Sequence, residues 1–342
     1  MVAAGAPASA QEHVSIHSEV LFYGDNTEFR NLFREGETIF GAAARVTAEI
    51  QSGRRVRLTA GGFLNQRFGS DRAVDFARPV LALTVRGPRS AFVFGTFPPL
   101  AASRLGPDRM GPHGLLPPLQ RETLSFERPY EAGLRWTFSG DRLRHEIWLG
   151  WQRLNTRDHR ERFDGGLDGE ARVSGVLSVP LQIHVVHEGG QSYASGAVSD
   201  SAAAALGVKL HRRTASVGIA SLELLGLVSR AVPDRSRPDL SRDGVAFFGR
   251  AAAERDGWRA HLIVWRGRNF LKDEGDPNYL SVRLNGARHR GTRDYAEAGL
   301  TRRFSLAPST RLEVSGRFHR VENHYEYSYR IVSLVSLGWR VH

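Results

Sequence analysis

The feature that most constrains this chain is an alternation of apolar and polar side chains that recurs along most of its length. Between 40 and 50, every second residue is apolar, from Phe40 to Ile50, and the intervening residues are small, polar or charged. A strand places successive side chains on opposite faces, whereas a helix with its period of 3.6 would mix the two sets. The same pattern recurs at 56–67, 130–138 and 311–319, so the sequence predicts an all-β protein.

The connections between the predicted strands alternate in length. Short turns such as 52–54 and 139–142 alternate with longer loops such as 24–36, 98–128 and 271–292. A soluble sandwich has no reason to alternate in this way. A barrel that crosses a membrane has short turns at one end and long loops at the other. We count about sixteen strands, and this even number places both termini at the short-turn end.

Two regions depart from the simple pattern. We place the eighth strand at 169–179 and the ninth at 181–190, joined by a tight turn at 179–180, and we assign 156–168 to a loop. Within 216–230 the alternation changes phase, and a β-bulge is the expected cause because it inserts one extra residue into a strand.

Composition narrows the environment of the predicted barrel. Of the 342 residues, 41% are hydrophobic, but no run approaches 18 apolar residues, so no transmembrane helix is expected. A chain of this kind can cross a membrane only as a closed barrel. The absence of cysteine is compatible with an oxidising compartment. The net charge of +11 comes without any nucleic-acid-binding motif, so we predict no nucleic-acid partner.

The two ends of the chain are also informative. Residues 6–11, rich in alanine, match the small-residue end of a secretory signal, so we interpret 1–10 as a signal-peptide remnant or a disordered N-terminus. Residues 11–342 then form a single barrel domain. The last strand alternates up to the C-terminus, with Val335, Leu337, Trp339 and Val341 on one face.

This last strand and the asymmetry of the loops resemble those of Gram-negative outer-membrane β-barrels of the porin-like channel class, although the chain ends in His342 where that class usually ends in an aromatic residue. The resemblance implies an all-β, transmembrane antiparallel up-and-down barrel with periplasmic termini, located in the outer membrane of a Gram-negative bacterium. It implies contact with outer-membrane lipid and insertion by the barrel assembly machinery. Because the general porins are trimers, it also suggests an oligomer.

The charged face of the strands would line the lumen. An excess of cationic over acidic side chains there favours anions, because low-dielectric walls focus the field. The alternative is that arginines and glutamates on neighbouring strands pair and brace the wall. The predicted lumen and selectivity residues are Arg45, Arg57, Arg67, Arg135, Arg144, Arg172, Arg250, Arg259, Arg303, Arg311 and Arg317.

The third long loop, about 98–128, is the longest. In the general porins the loop at this position folds into the barrel and constricts it, so the resemblance implies a constriction loop here. An external lid or a partner-binding loop is the alternative, since long connections are often functional. The candidate constriction residues are Arg104, Asp108, Arg109, His113, Gln120 and Arg121.

These observations favour an outer-membrane pore or channel that passes small, anionic solutes. The alternatives are an exporter of an acidic exopolysaccharide and a non-conducting scaffold for a periplasmic or surface partner. The histidines show no metal-ligand spacing, and Asp158–His159 with a distant serine does not specify a hydrolase site. We therefore predict no catalytic residues, no metal, no cofactor and no enzymatic activity.

Overall fold

The computed structural model describes residues 13–97, 112–193 and 196–341, which form a closed barrel of sixteen antiparallel strands. Each strand pairs with its neighbours in the chain, and the first and last strands pair to close the barrel. This confirms the predicted up-and-down β-barrel. The strands are β1 His13–Arg30, β2 Glu35–Ser52, β3 Val56–Arg67, β4 Phe76–Arg86, β5 Ser90–Thr96, β6 Ala132–Ser139, β7 Leu143–Arg153, β8 Glu161–Arg172, β9 Leu177–Gly189, β10 Ser199–Thr214, β11 Gly218–Val232, β12 Arg242–Arg255, β13 Trp258–Arg268, β14 Thr292–Ala307, β15 Thr310–Val321 and β16 His324–Val341.

The helical content of the described residues is small. One short α-helix, α1 Leu124–Glu127, follows β5, and 3-10 turns occupy Pro238–Leu240 and Pro277–Tyr279. None of the helices in the described residues is long and apolar enough to span a membrane.

The apolar face of the strands points away from the lumen. Leu262 is 59% exposed on the outer surface, whereas the next residue, Ile263, is 5% exposed because it faces the interior. Many large apolar side chains share the outward orientation of Leu262, among them Val46 and Leu81. An apolar surface of this extent is stable when lipid covers it. The expected orientation, apolar outward and polar inward, is therefore present.

The eighth and ninth strands do not lie where the sequence analysis placed them. β8 covers 161–172, which includes most of the expected loop, and β9 runs through Pro180 without a turn. β8 lacks the apolar alternation because its inward side chains include Asp164 and Asp168, and it contains Gly165 and Gly166. Short side chains and lumen-facing carboxylates give a strand the composition of a loop.

The expected bulge within 216–230 is also absent. β11 pairs with β10 and β12 in continuous register. The phase appears to change in the sequence because Leu225 and Leu227 are apolar and yet face the interior, where they are 2% exposed. They pack in one apolar cluster with Leu119, which lies in the third outer loop.

Two segments from the outer loops fill the outer half of the lumen. We call residues 112–128 and 270–281 together the plug. Leu115, Leu116 and Leu119 of the plug are buried against wall residues such as Trp148. The Phe126 ring stacks on the Tyr23 ring with centroids 4.9 Å apart. The plug therefore has its own apolar contacts with the wall.

The long loops lie at the outer end of the barrel and the short turns at the other end, as expected. β1 extends further than the sequence predicted, so only 31–34 connects it to β2 instead of the expected loop 24–36. The polar residues at 25–27 belong to this strand, because they pair with both β2 and β16.

Candidate functional site

The predicted lumen arginines lie on the polar, inward side of their strands, mostly in the periplasmic half. Two cavities of about 450 and 270 Å³ occupy this half of the barrel. Arg45, Arg57 and Arg135 line the first, and Arg144, Arg172 and Arg259 line the second. Arg67 lies at the outer end of β3 and Arg311 is exposed at the periplasmic end of β15.

Many of these arginines contact carboxylates on neighbouring strands. Arg57 Nη1 lies 2.8 Å from Glu49 Oε2, and Arg250 Nη2 lies 2.7 Å from Glu223 Oε2. Similar pairs link Arg144 with Glu170 and Arg303 with both Glu254 and Glu313. Cross-strand pairs of this kind brace the wall. A role of these residues in ion selectivity stays a prediction.

The candidate constriction residues divide into two groups. Arg104, Asp108 and Arg109 lie outside the described residues. His113 and Gln120 are buried inside the plug, and Arg121 Nη2 lies 2.5 Å from Glu127 Oε2. The described part of the third outer loop thus lies in the lumen, while its role as a selective constriction stays a prediction.

A buried polar cluster lies where β1, β14, β15 and β16 meet the plug. Arg330 of β16 contacts Asp25 of β1 at 2.5 Å and Glu122 of the plug at 3.0 Å. Arg317 of β15 contacts the same Glu122 oxygen at 2.8 Å. Burial alone would raise the pKa of Glu122, but the two guanidinium groups lower it below its usual range. Glu122 is therefore a carboxylate that ties the plug to the wall.

The same cluster holds a serine and a histidine in contact. Ser328 Oγ of β16 lies 2.8 Å from Nε2 of His319 on β15. Both side chains face the lumen and are less than a tenth exposed. The Phe29 ring packs edge-on against the imidazole, with ring centroids 4.9 Å apart. These contacts hold the imidazole in one orientation.

A hydrogen-bond chain fixes which nitrogen of His319 carries the proton. The Tyr295 hydroxyl donates to Oε2 of Glu297 at 2.6 Å, since a carboxylate can only accept. The same hydroxyl lies 2.7 Å from His319 Nδ1 and therefore accepts its proton. Nε2 is left with a lone pair directed at the Ser328 hydroxyl. A histidine arranged in this way can take the serine proton, as in a serine hydrolase.

A cavity of about 30 Å³ adjoins this chain. That volume holds one or two water molecules. The charged lining residues comprise three arginines and four carboxylates, so the cluster has no excess of positive charge with its histidine neutral. They are Arg34, Arg317, Arg330, Asp25, Glu122, Asp276 and Glu297.

A second histidine lies on the opposite wall, between β8 and the plug. His184 of β9 is fully buried, and its Nε2 lies 3.2 Å from Asp164 Oδ2 and 3.9 Å from Glu274 Oε2. Its Nδ1 lies 3.0 Å from the carbonyl oxygen of Leu119. The three ligand atoms of Asp164, His184 and Glu274 all lie within 4.8 Å of one another. No such cluster was predicted from the sequence.

His113 of the plug is another buried histidine. Its Nδ1 lies 2.9 Å from Glu146 Oε1 and its Nε2 lies 3.0 Å from Glu131 Oε2. The ring stacks on Trp148 with centroids 3.7 Å apart. Burial alone would lower the pKa of His113, but the two carboxylates raise it to about 9. His113 is therefore a buried cation at neutral pH.

Comparisons with solved structures show the same fold at low sequence identity. The chain is similar to the OmpT loop L8 deletion mutant of Vibrio cholerae, with a TM-score of 0.57 and 12% identity over 95% of this chain and 99% of that one. It is also similar to OccK8 (OprE) of Pseudomonas aeruginosa, with a TM-score of 0.54 and 13% identity over 96% of this chain and 98% of that one. These similarities confirm the porin-like barrel class and, with it, the outer-membrane location.

A third similar structure is OmpT of Vibrio cholerae in a trimer form, with a TM-score of 0.55 and 12% identity over 95% of this chain and 99% of that one. The trimer is a property of that protein, and an oligomer of this chain stays a prediction. Contact with membrane lipid follows from the fold. No significant match was found among the curated proteins.

A family model described as lipid A 3'-O-deacylase-type matches residues 6–338. This match contradicts the sequence-based prediction that the protein is not an enzyme, because it points to an ester hydrolase. The sequence analysis considered Asp158 and His159 with a distant serine, whereas the structure brings Ser328, His319 and Glu297 together from three separate strands.

Proposed function

The chain belongs to the lipid A 3'-O-deacylase-type family, and on that premise we propose that it is an outer-membrane esterase that removes an ester-linked acyl chain from a lipid A-type glycolipid. Ser328 is the nucleophile and His319 is the general base. The observation that carries this proposal is the hydrogen-bond chain from Ser328 through His319 and Tyr295 to Glu297.

The proposed reaction follows from the placement of protons in that chain. His319 Nε2 takes the hydroxyl proton as Ser328 Oγ attacks the ester carbonyl, and the imidazolium then returns this proton to the departing sugar oxygen. The acyl group is left on Ser328. A water molecule, deprotonated by the same nitrogen, then hydrolyses this acyl-enzyme, which releases the fatty acid and restores the serine.

Tyr295 and Glu297 act through the histidine. Glu297 Oε2 lies 3.5 Å from His319 Nδ1, close enough to stabilise the imidazolium that forms during the reaction. Arg34 and Arg330 line the same cavity, where their guanidinium groups are paired with carboxylates and can also donate to a developing oxyanion.

The position of the site supports an acyl substrate of the outer leaflet. Ser328 lies four residues into β16 from the outer turn that joins it to β15. Because the adjoining cavity admits only water-sized molecules, an ester reaches Ser328 when the neighbouring plug or hairpin 31–34 moves. Arg34 of that hairpin contacts Asp276 of the plug at 2.6 Å, and Phe33 beside it lies in the same apolar cluster as Phe270 of the plug.

The test is release of fatty acid from purified lipid A by the protein in mixed micelles, measured by mass spectrometry of both products. We expect Ser328→Ala to lower the rate by at least about 10³-fold. Ser315→Ala is the matched control. Ser315 is a buried, inward-facing serine on β15 that takes no part in the hydrogen-bond chain from Ser328 to Glu297, so this variant should keep the wild-type rate.

Two outcomes would contradict the proposal. Full activity of folded Ser328→Ala would show that the nucleophile is another group. Absence of fatty-acid release by the folded wild-type protein, from lipid A preparations that differ in acylation, would exclude the deacylase function itself. Heat-dependent gel mobility, which reports a folded barrel, controls for misfolding in both cases.

The pore function has weaker support than the esterase. The plug fills the outer half of the lumen, and many lumen arginines contact carboxylates. Export of an acidic exopolysaccharide would need the same open route. A non-conducting scaffold is compatible with the plug and predicts a co-purifying protein. A steady conductance with an anion-selective reversal potential in a planar bilayer would favour the pore over the proposal made here.

A further inference from the structure

The cluster of Asp164, His184 and Glu274 has the properties of a cation site. It lies across the lumen from Ser328 and takes no part in the proposed reaction. Asp164 and His184 lie on adjacent wall strands, whereas Glu274 belongs to the plug. The side chain of His184 is fully buried, and those of Asp164 and Glu274 are 5% and 6% exposed.

The backbone fixes the protonation of His184. A carbonyl oxygen can only accept a hydrogen bond, so the 3.0 Å contact between Nδ1 and the Leu119 oxygen places a proton on Nδ1. Nε2 of the neutral ring then presents a lone pair to the two carboxylates. Metal-binding histidines in proteins commonly show this arrangement, in which one nitrogen donates to the backbone and the other binds the ion.

Glu274 supplies the second observation. Its Oε1 accepts from three donors: Arg128 at 2.8 Å, Gln152 at 3.0 Å and Arg162 at 3.2 Å. Its Oε2 is buried and has no hydrogen-bond partner among the described residues. This oxygen lies near Nε2 of His184. A buried carboxylate oxygen without a partner is costly, and a cation would remove that cost.

A proton on Nε2 would not satisfy the cluster. It could bridge to Asp164 Oδ2 at 3.2 Å, but Glu274 Oε2 at 3.9 Å lies beyond hydrogen-bond range. A metal ion can contact all three atoms at once. Ligand atoms at about 2.0–2.1 Å from a tetrahedral ion lie roughly 3.3 Å apart, which is close to the observed separation of Asp164 and His184.

The surrounding charges act on a bound cation in both directions. Arg128 and Arg162 are directed at Oε1 of Glu274, the oxygen on the other side of its carboxylate. The other nearby cations are His113, which acts on Asp164, and Lys272, which donates to the Asp273 carbonyl oxygen. Burial lowers the pKa of Lys272 to about 8, although Glu274 and Asp273 oppose that change. Lys272 disfavours a proton on His184 Nε2 for the same electrostatic reason that it disfavours a metal ion.

We propose that Asp164, His184 and Glu274 bind one divalent transition-series ion, with Zn²⁺ as the best match. A nitrogen ligand beside two carboxylates suits Zn²⁺, whereas Ca²⁺ takes oxygen ligands only. The ion joins β8 and β9 to residue 274 of the plug, and the Nδ1 bond of His184 extends the link to residue 119. It therefore fastens both plug segments to one wall.

The test is titration of the chelator-stripped, folded protein in detergent with ZnCl₂, followed by calorimetry and by metal analysis after dialysis. We expect one Zn²⁺ per chain and no comparable binding of CaCl₂. His184→Gln and Glu274→Gln should each weaken Zn²⁺ binding at least tenfold, or about 1.4 kcal/mol. The stripped protein should also be cleaved faster by protease within the plug.

His187→Gln is the matched control. His187 lies on the same strand and contacts Asp200 at 2.8 Å, but Arg235 already pairs with that carboxylate. The control should bind Zn²⁺ like the wild type. No bound Zn²⁺ in folded wild-type protein, equal binding of Ca²⁺, or wild-type affinity in either ligand variant would overturn the proposal. Co²⁺ gives a second readout, because visible absorption that disappears in His184→Gln reports the nitrogen ligand directly.

Discussion

His319 and His184 lie on opposite walls of the lumen and are both almost completely buried, yet their surroundings give them different chemistry. In each ring Nδ1 donates a hydrogen bond, to the Tyr295 hydroxyl in one case and to the Leu119 carbonyl in the other. The difference lies at Nε2. In His319 this nitrogen faces a serine hydroxyl, which makes it a base, and in His184 it faces two carboxylates, which makes it a ligand for a cation.

His113 completes the comparison. Both of its ring nitrogens contact carboxylates, so it can itself become the cation that those carboxylates require. The described residues hold a fourth buried histidine, His261, whose Nε2 lies 2.7 Å from Glu297 Oε1. The three compared here have three different roles, and the group opposite each nitrogen decides between them. Four predictions test this interpretation, beginning with the largest expected effect.

The buried ion pairs around the serine should be the most sensitive element. Arg330→Met leaves Asp25 without its bridging guanidinium and removes one of the two that contact Glu122. Because an unpaired buried charge is costly, we expect the free energy of unfolding to fall by about 3–5 kcal/mol. Urea unfolding in detergent measures this. A loss below about 1 kcal/mol would show that water already reaches this cluster.

The pH dependence of plug docking should distinguish His113 from the other two histidines. The pKa of His113 in the folded protein, about 9, exceeds the unfolded value of 6.5. Its contribution to the stability of the docked plug is therefore complete below pH 6.5 and is lost as the pH rises through 9. A difference of this size corresponds to about 3 kcal/mol. Protease cleavage within residues 112–128 should accelerate over this interval in the wild type. The same increase in the cleavage rate in His113→Gln would contradict the assignment of His113 as the buried cation.

The tyrosine link should affect catalysis more than stability. Tyr295→Phe keeps the ring and removes the hydroxyl that orients His319, so we expect kcat for deacylation to fall on the order of 10²-fold with little change in KM. The pH profile should change as well, because the base loses the group that fixes its proton. Wild-type kcat in this variant would mean that Glu297 orients the histidine without the tyrosine.

The smallest effect is expected at the exposed rim. Arg266 lies 3.6 Å from Asp294, but the two side chains are 70% and 40% exposed. Arg266→Met should therefore change the free energy of unfolding by less than about 1 kcal/mol, because water screens the pair. This variant serves as the control for Arg330→Met. An equally large loss in both would indicate that removal of any outer arginine disturbs the barrel.

The fold was predictable because it depends on a local property. Alternation such as that of Val46 and Thr47 is visible in any short window, and the alternating lengths of turns and loops identify a membrane barrel. The prediction was wrong where an outward-facing residue was not apolar or an inward-facing residue was not polar. Gly165 and Gly166 made a strand resemble a loop, and Leu225 made a continuous strand resemble a bulged one.

The site was not predictable from the chain in the same way. Glu297 and His319 are directly paired across β14 and β15, but that pairing follows from a register the sequence does not state. Ser328 joins them from β16, nine residues after the histidine. The residues of the cation cluster lie even further apart in the sequence, because Glu274 belongs to the plug whereas Asp164 and His184 belong to the wall. The partners of His184 come from β8 and from the plug, and not from its own strand.

The contact of Arg330 with Asp25 has a consequence for assembly. These two residues face each other across the seam where the last strand meets the first. Glu122 contacts the same arginine from the plug, so the ion cluster is complete only when the seam is joined and the third outer loop is already inside. A barrel that zips shut around an empty lumen would leave Arg330 with half of its partners. Closure of the barrel and docking of the plug thus stabilise each other through Arg330.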